Sequence, residues 1–302
     1  NTWFSHTINP SVNWLETWNQ YSSFWVGIAR ANSVIDNVPQ IPMDEIRKNA
    51  IIGEARALRA LFYFHLVRTY GDVPLITTES KDNDSYKKER SAVDVVYDQV
   101  IIPDLQYAEQ NCRDGLHDGH VTKCTAKIIL ADVYLTRAGW RRNAKDGALV
   151  QGDAKNWALA RDKAKEIIDL SPNSLITTPT VRGLNTIPAC GVAWDTNAPF
   201  SSESLLEVSA VNQAGFGSWL TRECLANATG TSFWGAATDK PLLAGGINKT
   251  VNEMQFPGKP FVSGFYIPTP DLYRSFEAGD QRKDWAIMTR YTTQDGQTYL
   301  CQ

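Results

Sequence analysis

Apolar residues return every three or four positions through the first half of the chain. Trp18, Tyr21, Trp25, Ile28, Ala29, Asn32 and Ile35 follow that spacing, which is the period of one helix face. Pro39 and Pro42 end the segment. Asp44 stands where an N-cap belongs for a second helix over 45–70, with Ala55, Leu58, Phe62 and Leu66 on one face. Gly71 closes it, and Pro74 follows three residues on. The polar run 79–91 reads as a surface loop. Ser91 is placed to cap a helix over 92–110, within which Pro103 predicts a kink or a split. After the loop 114–122, Thr122 opens a helix that runs to Ala138 and stops at Gly139.

Residues 126–172 carry the clearest local pattern. Ala126, Ala131 and Ala138 punctuate a helix that also holds Leu130, Val133, Tyr134 and Leu135. An insertion follows, then a helix over 157–170 with Ala158, Ala164, Ile167 and Ile168, closing on Pro172. Two helices that meet through small residues and end in proline look like a tetratricopeptide unit lengthened by its insertion. From about 174 the long helical patterns vanish and Gly, Pro, Thr, Ser and Asn become frequent. Only 220–228 and 271–278 look helical there, and 205–211 reads as a strand. The expected fold class is therefore mostly α: a helical scaffold over 15–173 and a loop-rich, ligand-facing part over 174–302, within a single domain over 1–302.

Composition adds one feature. Ten Trp, 11 Tyr and 11 Phe make up 11% of the chain, and ten tryptophans exceed what packing alone usually requires. A net charge of −3 gives no electrostatic reason to expect nucleic acid or an anionic membrane as partner. No apolar run approaches the roughly 20 residues that span a bilayer. Cys112, Cys124, Cys190, Cys224 and Cys301 are odd in number and form no CxxC pair. They read as mostly free, buried thiols. The chain opens at Asn1 without an initiator Met, and it reads as a fragment or processed form.

Five segments in order resemble the SusD/RagB family. EARALRALFYFHLVRTYGDVPL at 54–75 resembles its signature helix. YSSFWVGIARAN at 21–32 is similar to its aromatic helix, and 90–108 to its Arg-Ser…Val-Tyr…Asp-Leu…Ala stretch. Residues 119–139 resemble its Gly-Arg-Val-Thr segment, with His120 standing where the pattern has Arg. PTPDLYRSFEAGDQR at 268–282 resembles its Phe-Glu…Gly-Asp-x-Arg segment. The resemblance implies a helical fold with tetratricopeptide-like helix pairs. It further implies a glycan-binding, or in some branches peptide-binding, lipoprotein on the extracellular face of the outer membrane. Such a protein is anchored through an N-terminal Cys absent from this sequence and serves a SusC-like TonB-dependent transporter. No cofactor, metal or catalytic residue is implied.

Sugars present apolar C–H faces ringed by hydroxyls, so their sites combine flat rings with planar hydrogen-bonding groups. Trp219, Phe233 and Trp234 lie in Gly-rich loop sequence, with Arg222 and Asn227 as hydrogen-bonding candidates, while Trp3 and Trp14 lie in a polar opening segment with Asn9 and Asn13. These seven residues (Trp3, Trp14, Trp219, Arg222, Asn227, Phe233, Trp234) form the expected ligand site. Trp18 and Trp25 read as core, Trp140 and Trp157 as structural, and Trp285 as packed. Asp114, His117, Asp118, His120 and Cys124 read as a solvated loop rather than a metal site, and Asp82 and Asp84 as charged loop without an EF-hand frame. Glu203 and Glu207 flank an apolar pair, and a structural role is expected for them rather than acid/base catalysis. GxSxG, P-loop, dinucleotide and HExxH motifs are absent. Two other classes fit the residues: an α-helical glycosidase rich in Trp, and a tetratricopeptide-type scaffold that holds a protein in a helical groove.

Overall fold

The structure is a computed structural model, and it describes residues 15–82, 84, 87–143, 146–182, 185–194, 199–208, 270–286, 290–292 and 298–300. The chain divides into two compact units, 1–173 and 174–302.

The first unit is a helical stack. Helix α1 spans Leu15–Asn37 and α2 spans Glu45–Tyr70. Asp44 caps α2 by accepting a hydrogen bond from the Arg47 N–H at 2.9 Å, and Gly71 ends it with φ of 73°, a left-handed backbone that suits glycine. A short turn α3 (Val93–Val96) leads through a π-helical turn at Tyr97–Ile101 into α4 (Ile102–Asn111). Pro103 explains the break. It lacks the N–H that a continuous α-helix would bond at this position, and the wider turn before it absorbs the mismatch. The Val93 N–H is capped by the Asp72 carboxylate at 3.1 Å. Ser91 lies instead in a two-residue antiparallel pair, β1 (Val73–Pro74) with β2 (Arg90–Ser91).

Thr122 and Thr125 form a reciprocal capping box at the start of α5 (Lys123–Ala138). Helix α6 (Lys155–Leu170) packs back along α5, completing the expected helix pair. The insertion between them is an antiparallel hairpin, β3 (Trp140–Arg142) with β4 (Leu149–Gln151).

One continuous core joins α1, α2, α4, α5 and α6. Tyr63, Phe64, Leu66, Ile101, Leu105 and Leu130 are buried at its centre. Trp25 packs on this core edge-to-face with Tyr21 and Tyr63, at ring separations of 5.9 and 5.8 Å. A buried polar network crosses it. Arg59 grips Asp104 with a two-pronged fork at 2.7 and 2.9 Å, and its remaining prong donates to the Asn32 side-chain oxygen at 2.8 Å and to the Thr77 carbonyl at 2.9 Å. Asn32 in turn donates to the carbonyls of Ile76 and Thr78 at 3.0 and 3.1 Å. The Tyr63 hydroxyl both donates to the Ile76 carbonyl and accepts from the Ile76 N–H. Burial pushes that hydroxyl up to about 12, so it stays protonated and able to donate. The segment after α2 is thus tied to α1 and α2 by side chains, and Arg59 links that network on to Asp104 of α4.

Electrostatics anchor the hairpin. Arg141 forks onto Asp94 with two hydrogen bonds of 2.7 Å, and Arg137 pairs with Asp98 at 2.7 Å. The hydrogen bonds from Arg141 hold the Asp94 carboxyl below its ordinary value, against a smaller opposing effect of burial. A depressed folded value contributes stability above the ordinary carboxylate range, and that contribution is lost as pH falls through the folded value. Hydrogen-exchange protection of the β3 and β4 amides is therefore expected to hold at about pH 6 and to weaken below ~pH 4. Asp94→Asn should weaken it already at neutral pH. Unchanged protection factors in that variant would show that the fork does not hold the hairpin.

Among the described residues the second unit holds two antiparallel pairs, β5 (Thr180–Arg182) with β6 (Asn185–Ile187) and β7 (Arg290–Thr292) with β8 (Thr298–Leu300). It also holds the short helices α7 (Ala189–Val192), α8 (Pro270–Ser275) and α9 (Gln281–Ala286). The expected strand over 205–211 is not present at 205–208, and α8 falls within the expected helix over 271–278 apart from its first residue. The expected helix over 220–228 lies outside the described residues. Cys112 is buried, Cys124 and Cys190 are half-buried, and all three are free thiols. Burial pushes the Cys112 thiol up to about 12. Cys224 and Cys301 lie outside the described residues. Among the described residues, no helix is long and apolar enough to cross a membrane.

Candidate functional site

All seven sequence-predicted ligand residues, Trp3, Trp14, Trp219, Arg222, Asn227, Phe233 and Trp234, lie outside the described residues. Within the described residues three other tryptophans face water. Trp194 in the second unit is 73% exposed. In the first unit Trp140 on β3 is 66% exposed and Trp157 in the first turn of α6 is 47% exposed. The last two correct the expectation that they serve packing. The strand pair that carries Trp140 stands outside the core, and all six of its residues are exposed. A hairpin signal was present in the sequence, because Asp146-Gly147 sits between two short apolar-containing runs, and Gly147 adopts φ of 69°.

Two open clefts accompany the helices. One, of about 540 Å³, lies between the end of α1 and the segment after α2 and is lined by Asp36, Asn37, Gln40, Thr78, Glu79, Lys81 and Asp82. Asn37 and Ser33 hydrogen bonds hold the Glu79 carboxyl below its usual range. The cleft offers polar groups and no ring. The other, of about 440 Å³, lies beside α5 and the end of α6. Its lysines are spoken for, Lys123 by Asp114 at 2.8 Å and Lys127 by Glu166 at 3.0 Å.

The acid/base candidates are engaged in holding backbone. Glu203 accepts from the Ile176 N–H at 2.8 Å, and Glu207 accepts from the Phe200 N–H at 3.1 Å. His117 departs from the expected solvated loop: it is 2% exposed, with Nδ1 hydrogen-bonded to the His120 carbonyl at 2.8 Å. His120 faces Glu54 at 3.0 Å, and Asp118 pairs with Arg113. No group of three metal-ligating side chains occurs among the described residues. What these groups offer chemically is hydrogen bonding and flat apolar surface.

The helical framework is similar to known proteins. The SusD-like family described as "Starch-binding associating with outer membrane" matches residues 1–135. A SusD-like protein of Bacteroides ovatus is 36% identical over 160 residues, and SusD-like protein P2 of Formosa agariphila is 36% identical over 137. Over this helical stretch the chain is similar to SusD-like proteins. The matches cover 52% and 43% of this chain, and 28% and 26% of those relatives. A crystal structure of a SusD superfamily protein from Parabacteroides distasonis superimposes with a TM-score of 0.60 at 25% identity, over 92% of this chain and 50% of that one. A SusD superfamily structure from Bacteroides fragilis shares the fold at 17% identity, with a TM-score of 0.62 over 93% of this chain and 53% of that one. The mostly helical SusD-like fold expected from the sequence is the one observed.

Proposed function

We propose that this chain is part of a cell-surface glycan-binding protein that holds oligosaccharides without cleaving them and passes them to a SusC-like TonB-dependent transporter. The reading places it lipid-anchored on the extracellular face of the outer membrane. It is carried by one observation: the stretch that matches a family described as starch-binding and associating with the outer membrane is the stretch that builds α1, α2, α4 and most of α5. The engagement of Glu203 and Glu207 with backbone N–H groups supports a binding role over a glycosidase.

In this reading Trp219, Trp234 and Phe233 are ring platforms with Arg222 and Asn227 binding sugar hydroxyls, and Trp3 and Trp14 are further ring platforms. A Trp that commits about half of its 150–250 Å² to a sugar face gains roughly 2–3 kcal/mol gross. The cost of association removes part of that. Removing one ring is then expected to weaken binding about tenfold, or ~1.4 kcal/mol. The test titrates Trp fluorescence of the intact protein with oligosaccharides and checks recovered sugar for cleavage. Trp219→Ala and Trp234→Ala should each weaken binding about tenfold, with the sugar recovered whole. Unchanged affinity in both variants refutes this ligand site, and cleaved sugar refutes the non-catalytic reading.

A further inference from the structure

The hairpin between α5 and α6 carries apolar side chains that its own fold does not use. In an antiparallel pair, residues directly opposite each other point to the same face and successive residues alternate. Trp140 stands opposite Gln151 and Arg142 opposite Leu149, so these four share one face. Arg141 and Val150 share the other, and the Arg141 fork onto Asp94 turns that second face toward α3. Exposure agrees: Trp140 is 66% and Leu149 62% exposed, against 38% for Val150. The outer face therefore presents an indole and a Leu side chain beside a side-chain amide and a guanidinium. Arg142 is steadied by its hydrogen bond to the Gly147 carbonyl at 2.9 Å.

We propose that this outer face is a carbohydrate subsite, in which a sugar ring stacks on Trp140 while its hydroxyls meet Gln151 and Arg142. The subsite rests on the glycan-binding reading, but it lies in the helical unit and uses none of the loop aromatics assigned above. Size selects the occupant. Two three-residue strands present a face about 10 Å long and roughly 10 Å wide. That is far short of the ~800 Å² per partner that a stable protein interface buries. One or two sugar rings fit it, and a flat ring flanked by planar polar groups complements an apolar sugar face edged with hydroxyls.

The test records indole N–H resonances of the isotope-labelled full chain during titration with neutral glucose hexasaccharides in α-1,4, β-1,4 and β-1,3 linkage. Trp140→Phe identifies the Trp140 signal by its disappearance. The expected result is a saturable shift of that signal with at least one sugar, lost in Trp140→Ala and weakened severalfold in Gln151→Ala. Shifts at other indoles with Trp140 stationary overturn the subsite and leave the glycan-binding reading standing. No shift anywhere with any sugar overturns both. A change in sedimentation from dimer to monomer in Trp140→Ala would assign the face to a second copy of the chain and overturn the subsite as well.

Discussion

Replacing Asp104 with alanine is expected to destabilise the helical unit by about 3–5 kcal/mol, measured by urea unfolding followed by far-UV circular dichroism. Asp104 is 2% and Arg59 6% exposed, and the carboxylate takes two of the guanidinium's hydrogen bonds at 2.7 and 2.9 Å. Alanine leaves the Arg59 charge in the core, and arginine cannot discard its proton to escape. The Asn32 oxygen and the Thr77 carbonyl remain as partners, but they are dipoles rather than a charge. Arg56, 3.6 Å from the same carboxylate, loses its counter-ion too. Asp104→Asn should cost less, since its amide oxygen still accepts one bond from the fork. A loss below about 1 kcal/mol for the alanine variant would mean that water reaches Arg59 and that the network is not a buried one.

This network shows what could be read along the chain and what could not. Local signals were legible. Asp44, Gly71, Thr122 and Gly139 mark helix ends through contacts made within a few residues, and each sits at the end it announces. Pro103 announced a break, though nothing local distinguishes a kink from the π-helical turn that precedes it. Asn32 fitted the apolar spacing of α1 and was read only as a place on that face. Its partners lie 27, 44 and 46 residues away, and no spacing rule connects them. Asp104 and Arg59, 45 residues apart, likewise look like two ordinary helix charges until the helices pack.

Legibility of the ligand site divides in the same way. Ring content and family resemblance point to sugar chemistry, yet periodicity cannot say which rings face water. Trp25 and Trp157 both lie on helices with apolar spacing, and one packs against the core while the other is 47% exposed. The difference comes from position in the stack. Trp25 lies in the middle of α1 against α2, and Trp157 lies in the first turn of α6, beside the hairpin. Trp219 and Trp234 remain proposals from sequence.

Gly152→Ala is expected to cost about 3 kcal/mol, the upper end of the usual overpacking penalty, and to release the hairpin. Gly152 returns the chain from β4 to α6 directly against the end of α5. Its N–H donates to the Gly139 carbonyl at 2.9 Å. A β-carbon there would overlap the Arg137 carbonyl oxygen and lie 2.7 and 3.1 Å from the carbonyl carbons of Arg137 and Ala138. The obstacle is backbone in the last turn of a packed helix, so no side-chain rotation relieves it. Either α5 loses its last turn, or the hairpin swings away and breaks both the Gly139 bond and the Arg141–Asp94 fork. Hydrogen exchange separates these outcomes: loss of protection at 140–142 and 149–151 alone marks release, and loss extending into 134–138 marks unwinding. Both disturb the base on which Trp140 stands, so the shift of its indole signal with sugar should weaken in step with hairpin protection. An alanine variant with wild-type unfolding midpoint and wild-type protection at the hairpin would show that the close approach of Gly152 to α5 does not exist in solution.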